Sequence, residues 1–364
     1  MVNEIFFGKT KFTLDISALL GYDSCMTTIL GLTCISEELK EKNKVKYSFR
    51  TMTRKRFNDL TQQQGRNEAI QALSERILHN VRVTRYILRH CAFSNIKHYR
   101  LSSCLCPLLT DATLGLSFAD LPNKSAIDNE LKLAGLIANK YNISIGSHPD
   151  QFNVLASPDR DKVSRTINEL NFQASMLDKM GLPQDHTAPM NIHVNYTPQA
   201  DETLELVATR FFRNLSMCDS GVYKRLTIEN EDKGFFNVDN CIKFSDYLFE
   251  TFGAMIPVCY DNLHDFCNPS EGDPSIAFNA ERCAYTWVKQ TEKLHFNEDN
   301  FIAPVFHWSE GRPEKPRSHA DYFALGNFPP NIAIEPDKPV KWECEVKQKD
   351  KAIRLLRENL SQKP

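Results

Sequence analysis

The sequence lacks several things, and each absence excludes a class of protein. Nowhere do about 18 uncharged apolar residues run together, the length a helix needs to cross a bilayer, so no membrane span is expected. The opening MVNEIFFGKTKF interrupts its apolar residues with charges, which is not the pattern of a secretory leader. Charge of one sign is missing too: 44 Lys+Arg against 46 Asp+Glu give 44 − 46 = −2. A global positive field is therefore excluded, and any polyanion must be held locally. Among 11 cysteines there is no C-x-x-C pair, and several sit in apolar runs where a thiol behaves as a small hydrophobe. A reducing compartment follows, and the protein is expected in the cytoplasm. No Pro/Gly/Ser linker, low-complexity run or long repeat divides the chain.

What is present is a soluble globular composition, 41% hydrophobic, 10% aromatic and 25% charged over 364 residues. That length exceeds one ordinary domain and lies near the upper end for a single barrel. From residue 25, short apolar or β-branched runs alternate with segments of helical period. Strands are expected over Cys25 to Cys34, Lys97 to Ser103, Ile143 to His148, Pro189 to Asn195, Arg225 to Asn230, Ile256 to Asp261, Phe301 to His307 and Val340 to Glu345. Helices are expected between most of them, the first over Glu68 to His90 with Ile70, Leu73, Ile77, Val81 and Leu88 on one face. Only the seventh unit is short of a full helix. Eight alternating units predict an α/β fold, a single (β/α)8 TIM barrel over residues 25–364, with an N-terminal extension over 1–24 and basic loop insertions.

The polar residues that end the strands carry the chemistry. His148, His193, Glu229, Asp261 with His264 close behind, His307 and Glu345 close six consecutive strands. In a parallel barrel those ends share one mouth, where active sites are built. Any one of them alone reads as a loop or cap residue; as a set they would repel or stay unsatisfied without a cation. Four histidines plus carboxylates suit Zn2+, Mn2+ or related divalent ions and exceed one four-coordinate site, so two or three ions are implied. Clustered ions of this kind serve displacement at phosphorus, and phosphodiester hydrolysis fits. Two basic loops, residues 40–56 (KEKNKVKYSFRTMTRKR) and 311–319 (GRPEKPRSH), follow strands one and seven and are expected on the same face. Their plain reading is a solvated surface. Other motifs are weaker. FGKT at Phe7 to Thr10 lacks the first glycine of a phosphate loop, Cys104 and Cys106 read as buried on one strand face, and Ser102-Ser103 have no evident His and Asp relay.

At these residues the sequence resembles the UV damage endonuclease family, metal-dependent barrels related to the endonuclease IV type. The likeness runs from about residue 29 to 356 through motifs in the family's order: His79-Asn80, Tyr99 to Ser103 with Pro107-Leu108, Ser147 to Leu155, Asn191 to Asn195, Arg225 to Asp232, Val258 to Pro269, His307 to Glu310, Ser318 to Tyr322 and Glu343 to Asp350. The resemblance implies a DNA repair nuclease that nicks damaged duplex DNA immediately 5′ of a photolesion through a multinuclear centre, with Mn2+ the foremost ion and Zn2+ or Mg2+ the others. Carried over, His148 and His193 would hold one ion and Glu229 would bridge it to a second. Asp261, His307 and Glu345 would complete the second, with His264 and His319 on the third. Glu229, His307 and Glu345 are the expected catalytic residues. Gln151 and Phe152 match the pair that probes the lesion, and Arg100, Lys55 and Arg56 are expected to contact DNA. The working form is expected to be a monomer. Departures stand at Asp111, where the family usually has histidine, and at Val305, where its members can carry a carboxylated lysine. Asp265 replaces the second histidine of an HH pair, and Leu32 stands where a tyrosine often follows the first-strand glycine. Rival readings are an abasic-site endonuclease, a sugar isomerase of the xylose-isomerase kind, and a lesion-binding protein with a decayed metal site.

Overall fold

Eight short strands, apolar because helices cover one face and the barrel interior the other, set the frame. The computed structural model describes residues 3–7, 10–14, 28–150, 152–271, 275–291, 302–335 and 338–361. The strands are β1 (Ile29–Thr33), β2 (His98–Arg100), β3 (Ser144–Gly146), β4 (Met190–His193), β5 (Leu226–Glu229), β6 (Val258–Cys259), β7 (Val305–Trp308) and β8 (Lys341–Cys344). All pair in parallel, β3-β2-β1-β8-β7 in one ladder and β4-β5-β6 in another. Parallel bridges from Ser147 to Met190 and from Asp261 to His307 join the two ladders at both seams. The ring is closed, as a (β/α)8 barrel requires.

The helices follow their apolar stripes. Arg66–Phe93 buries Leu73, Ile77, Val81 and Leu88 completely, residues spaced by four or seven, while Ile70 is only half-buried. Its successors are Lys124–Lys140, Arg160–Lys179, Leu204–Leu215, Val238–Phe252, Ile276–Thr291 and Lys349–Ser361. Side-chain caps start several of them. Asp159, Thr203 and Asn237 each accept a backbone N–H of the first turn, and Gly253, at φ 66°, ends Val238–Phe252 in the left-handed conformation. After β7, where no full helix was expected, the chain forms a hairpin, Gly311–Arg312 with Lys315–His319. No helix among the described residues is long and apolar enough to cross a membrane.

Two expectations shift. β7 begins at Val305, and the start expected at Phe301 lies outside the described residues; likewise β1 begins at Ile29, with 25–27 outside them. Cys104 and Cys106 do not share a strand face. The chain leaves the ladder after Arg100 and turns, so Cys106 is buried and Cys104 exposed. Ahead of the barrel, Asn3–Phe7 pairs antiparallel with Thr10–Leu14.

The basic segment after β1 is ordered rather than a bare loop. It forms helices Glu37–Lys42, Lys44–Tyr47 and Arg54–Gln64, the last capped by Thr53 and anchored by buried Phe57 and Leu60. Its middle is pinned to the barrel by Asn80. This fully buried amide accepts from the Arg50 N–H at 2.7 Å and donates to the carbonyls of Arg50, Cys104 and Leu105 at 3.0, 3.0 and 3.2 Å.

Candidate active site

Parallel strands deliver their last residues to one mouth, and Glu229 at the end of β5 stands at its centre, 1% exposed. Four histidines surround its carboxylate. Oε2 meets His148 Nε2 at 3.0 Å and His193 Nε2 at 3.9 Å; Oε1 meets His264 Nδ1 at 3.0 Å and His307 Nδ1 at 3.1 Å. The rings lie against one another in an arc, with centroids 5.3 Å apart for His148 and His193, 5.4 Å for His193 and His264, and 5.5 Å for His148 and His307. Asn191 fixes Glu229 from behind, donating to Oε2 at 2.5 Å while its own oxygen accepts from Thr227.

Asp261 does two jobs with two oxygens. Oδ1 caps the helix Asn262–Cys267, accepting from the N–H groups of Leu263 and His264 at 2.7 and 2.8 Å, which brings His264 back over the mouth. Oδ2 is buried with no hydrogen-bond partner among the described residues and faces His307 Nδ1 at 3.6 Å and His264 Nδ1 at 4.0 Å. Glu345, just past β8, brings Oε1 to 3.7 Å from His307 Nδ1 and Oε2 to 3.7 Å from His319 Nε2.

Electrostatics keep two carboxylates of this set charged and one of its rings neutral. Burial works to raise the Glu229 carboxyl, but His307 and His193 outweigh it and hold Glu229 well below the usual carboxylate range. Glu345 is likewise lowered, because Arg100 and His307 outweigh its burial. Burial pulls His193 down to about 4, leaving a neutral ring with a lone pair to give. An orphaned buried carboxylate oxygen costs on the order of 1–3 kcal/mol unless something meets it. Asp261 Oδ2 and the neutral His193 therefore fit divalent cations. The donor atoms of His148, His193 and Glu229, of Glu229, Asp261 and His264, and of Asp261, His307 and Glu345 each lie within 4.8 Å of one another. Mixed nitrogen and oxygen donors of this kind suit Mn2+ or Zn2+.

This geometry coincides with a family match: the sequence model described as UV-endonuclease UvdE matches residues 28–363. The chain belongs to the UV-endonuclease family. Relatives named UV DNA damage endonuclease include one from a Nostoc species, 29% identical over 90% of this chain and 89% of its own length. Another, from Bacillus velezensis, is 25% identical over 86% of this chain and 88% of its own. The fold is similar to the crystal structure of SacUVDE, with a TM-score of 0.69 and 25% identity, covering 93% of this chain and all of that one.

Within this endonuclease fold, the remaining sequence-derived candidates fall in different places. Phe152 is 76% exposed beside His148 in the chain, not buried in the core. Gln151 lies outside the described residues. Lys55 and Arg56 are exposed on the first turn of Arg54–Gln64. Arg100, expected to contact DNA, ends β2, where its guanidinium pairs with Glu343 at 3.0 Å and with Glu345. The arginines of the hairpin after β7 are also engaged, Arg312 with Asp321 and Arg317 with Asp232.

Three departures from the family pattern now have environments. Asp111 is held by Arg54 at 2.6 Å and by Thr113, and it joins no ligand group among the described residues. Val305 is buried on the barrel's inner face. Asp265 accepts from the Tyr260 hydroxyl at 2.8 Å and the Asn279 amide at 2.9 Å, so it supports the helix after β6 from below. The sequence reading passed over Glu343 and His98, which bond to each other at 2.7 Å beneath His307. Strand alternation was the available signal, since Glu343 shares a face with Glu345, and His98 with Arg100.

Proposed function

We propose that this protein hydrolyses the DNA backbone immediately 5′ of a UV photolesion, using two or three divalent ions held at the barrel mouth, Mn2+ foremost. The observation that carries the reading is the set of four histidines around buried Glu229, with an exposed Phe152 four residues past His148 in the chain. His148, His193, Glu229, Asp261, His264, His307, His319 and Glu345 are the residues that would hold the ions. Bound there, divalent ions supply Lewis acidity toward a phosphoryl oxygen and lower the pKa of water.

The chain's own residues do the rest. Glu229 offers one oxygen to each side of the centre, which suits a bridging role. Asn191 keeps that carboxylate from turning, and Asn230 brackets the Asp261 backbone with a pair of hydrogen bonds. Phe152, with Gln151, would press into the stack at the lesion. Separating stacked bases costs a few kcal/mol, less where a lesion has weakened the stack, so selection rests on deformability. Lys55 and Arg56 would hold phosphates outside the mouth. We read the catalytic domain as residues 25–364 and the working form as a cytoplasmic monomer; the ten described cysteines are all free thiols, as a reducing compartment requires.

The deciding experiment is nicking of a labelled duplex with one defined photodimer, beside undamaged and abasic duplexes, with Mn2+ and after chelation. Metal-dependent cleavage on the 5′ side of the dimer is expected. Cleavage of the abasic duplex alone would transfer the chain to the endonuclease IV type of activity. Tight binding without cleavage in the presence of bound metal would make it a lesion-binding protein.

A further inference from the structure

Beneath the mouth, His307 meets barrel residues that the proposed chemistry does not use. Register places Gly31, His98, Glu343 and His307 side by side across β2, β1, β8 and β7. Glu343 is 2% exposed and surrounded by donors. Its Oε1 is bonded to His98 Nε2 at 2.7 Å; its Oε2 is buried without a hydrogen bond among the described residues and lies 3.2 Å from His307 Nε2 and 3.0 Å from Arg100 Nη1. His98 is held in turn by Ser144, Oγ to Nδ1 at 2.8 Å. Gly31 leaves room for the arrangement, because a Cβ there would stand 2.8 Å from His98 Cδ2.

The consequence falls on His307. Its two ring nitrogens face opposite ways, Nε2 down to Glu343 with Arg100 Nη1 also 3.4 Å away, and Nδ1 up to Glu229, Asp261 and Glu345 at 3.1, 3.6 and 3.7 Å. A neutral imidazole carries one proton, and which nitrogen bears it decides whether the other can give a lone pair to a cation. We propose that Glu343 is a positioning residue: by accepting the proton-bearing Nε2 of His307 it commits Nδ1 to the metal centre. Without that acceptor the proton is free to sit on Nδ1, where Glu229 would take it and the ligand would be closed. Carboxylates behind metal-binding histidines fix tautomer and ring orientation in this way, and their loss weakens metal binding by about 10- to 100-fold. His98 and Arg100 keep Glu343 charged and aimed.

The proposal rests on reading the mouth as a metal centre, and the test separates the two. Zn2+ affinity is measured by competition with a chelator for the wild-type chain and for Glu343→Gln, alongside unfolding of both proteins in metal-free form. Wild-type binding with roughly 10- to 100-fold weaker binding by a folded Glu343→Gln is expected. Equal Zn2+ affinity of the two would overturn the positioning role alone, whereas a wild-type chain that takes up no Zn2+ overturns the metal reading and this proposal with it. Should Glu343→Gln not fold, the Zn2+-loaded wild type decides by nitrogen-15 NMR of labelled histidines, with His307 assigned by its absence from His307→Gln. A proton on Nε2 and metal on Nδ1 is the expected signature; a proton on Nδ1 overturns the proposal.

Discussion

Two charged regions of this molecule are built on opposite plans. At the barrel mouth, Glu229, Asp261, His307 and Glu343 are buried and interlocked, each facing at least one opposite or protonatable partner within 4 Å. In the segment after β1, Lys42, Lys44, Lys46, Lys55 and Arg56 on short helices and Arg50 between them are exposed without an ion pair among the described residues, and only Lys40 and Arg54 have one. Buried charges that hold one another in fixed geometry are costly to desolvate and serve a small hard partner. Exposed unpaired cations cost little and serve a diffuse polyanion, at the mercy of salt. On the proposed function, the first region would carry the chemistry and the second the grip.

The largest effect expected is at the centre of the first plan. Glu229→Gln keeps the shape but removes the charge that four histidines face. Metal content should fall and nicking should drop by about three orders of magnitude or more, with the circular dichroism spectrum unchanged. Elemental analysis and single-turnover nicking check it, and a fully active variant would remove Glu229 from the mechanism.

Asn80 ties the basic segment to the turn after β2, and breaking it should release the segment alone. Asn80→Ala leaves the Arg50 N–H and three carbonyls without their partner, a loss of about 2–3 kcal/mol in unfolding free energy. The segment around residues 43–53 should become cleavable by protease and DNA affinity should fall, while metal content stays. Loss of metal along with the segment would show that the two plans are not independent.

Much of this was legible beforehand, for physical reasons that differ by element. Barrel strands announce themselves because both faces are buried, so Thr227-Ile228 or Phe306 cannot be mistaken for surface. The clustering of polar side chains at strand ends was legible because parallel order maps sequence position onto one mouth. The function of Asn80 was not, since a motif of two residues does not reveal that its amide bonds to a segment thirty residues earlier and to a turn twenty-four residues later. The partners of Arg100 were not legible either, since only the register of β8 brings Glu343, and Glu345 just past it, to the guanidinium. Glu343 was hidden by position, one layer below the residues that end the strands.

Phe152 belongs to neither plan: four residues past His148, it is apolar yet 76% exposed. Phe152→Ala should retain full metal content and lose about tenfold in preference for photodimer over undamaged duplex, the size of one base-stacking interaction. Competition binding with the two duplexes measures it. Unchanged preference would leave lesion selection to the centre itself.

The smallest effect belongs to the exposed cations and is diagnostic through its form more than its size. Lys55→Ala combined with Arg56→Ala removes two side chains that touch no acid among the described residues, so the fold and the metal should not notice. Binding to damaged and undamaged duplex should weaken equally, by roughly fivefold at physiological salt. The plot of log affinity against log salt should become shallower by about two units, one for each phosphate that the variant no longer neutralises. A slope equal to that of the wild type would mean that these cations only solvate the helix, and the grip would then have to come from Lys42, Lys44, Lys46 and Arg50 along the flank. Selectivity for the lesion should not move in either case, because holding a phosphate fixes where the duplex lies and carries no information about which base is damaged.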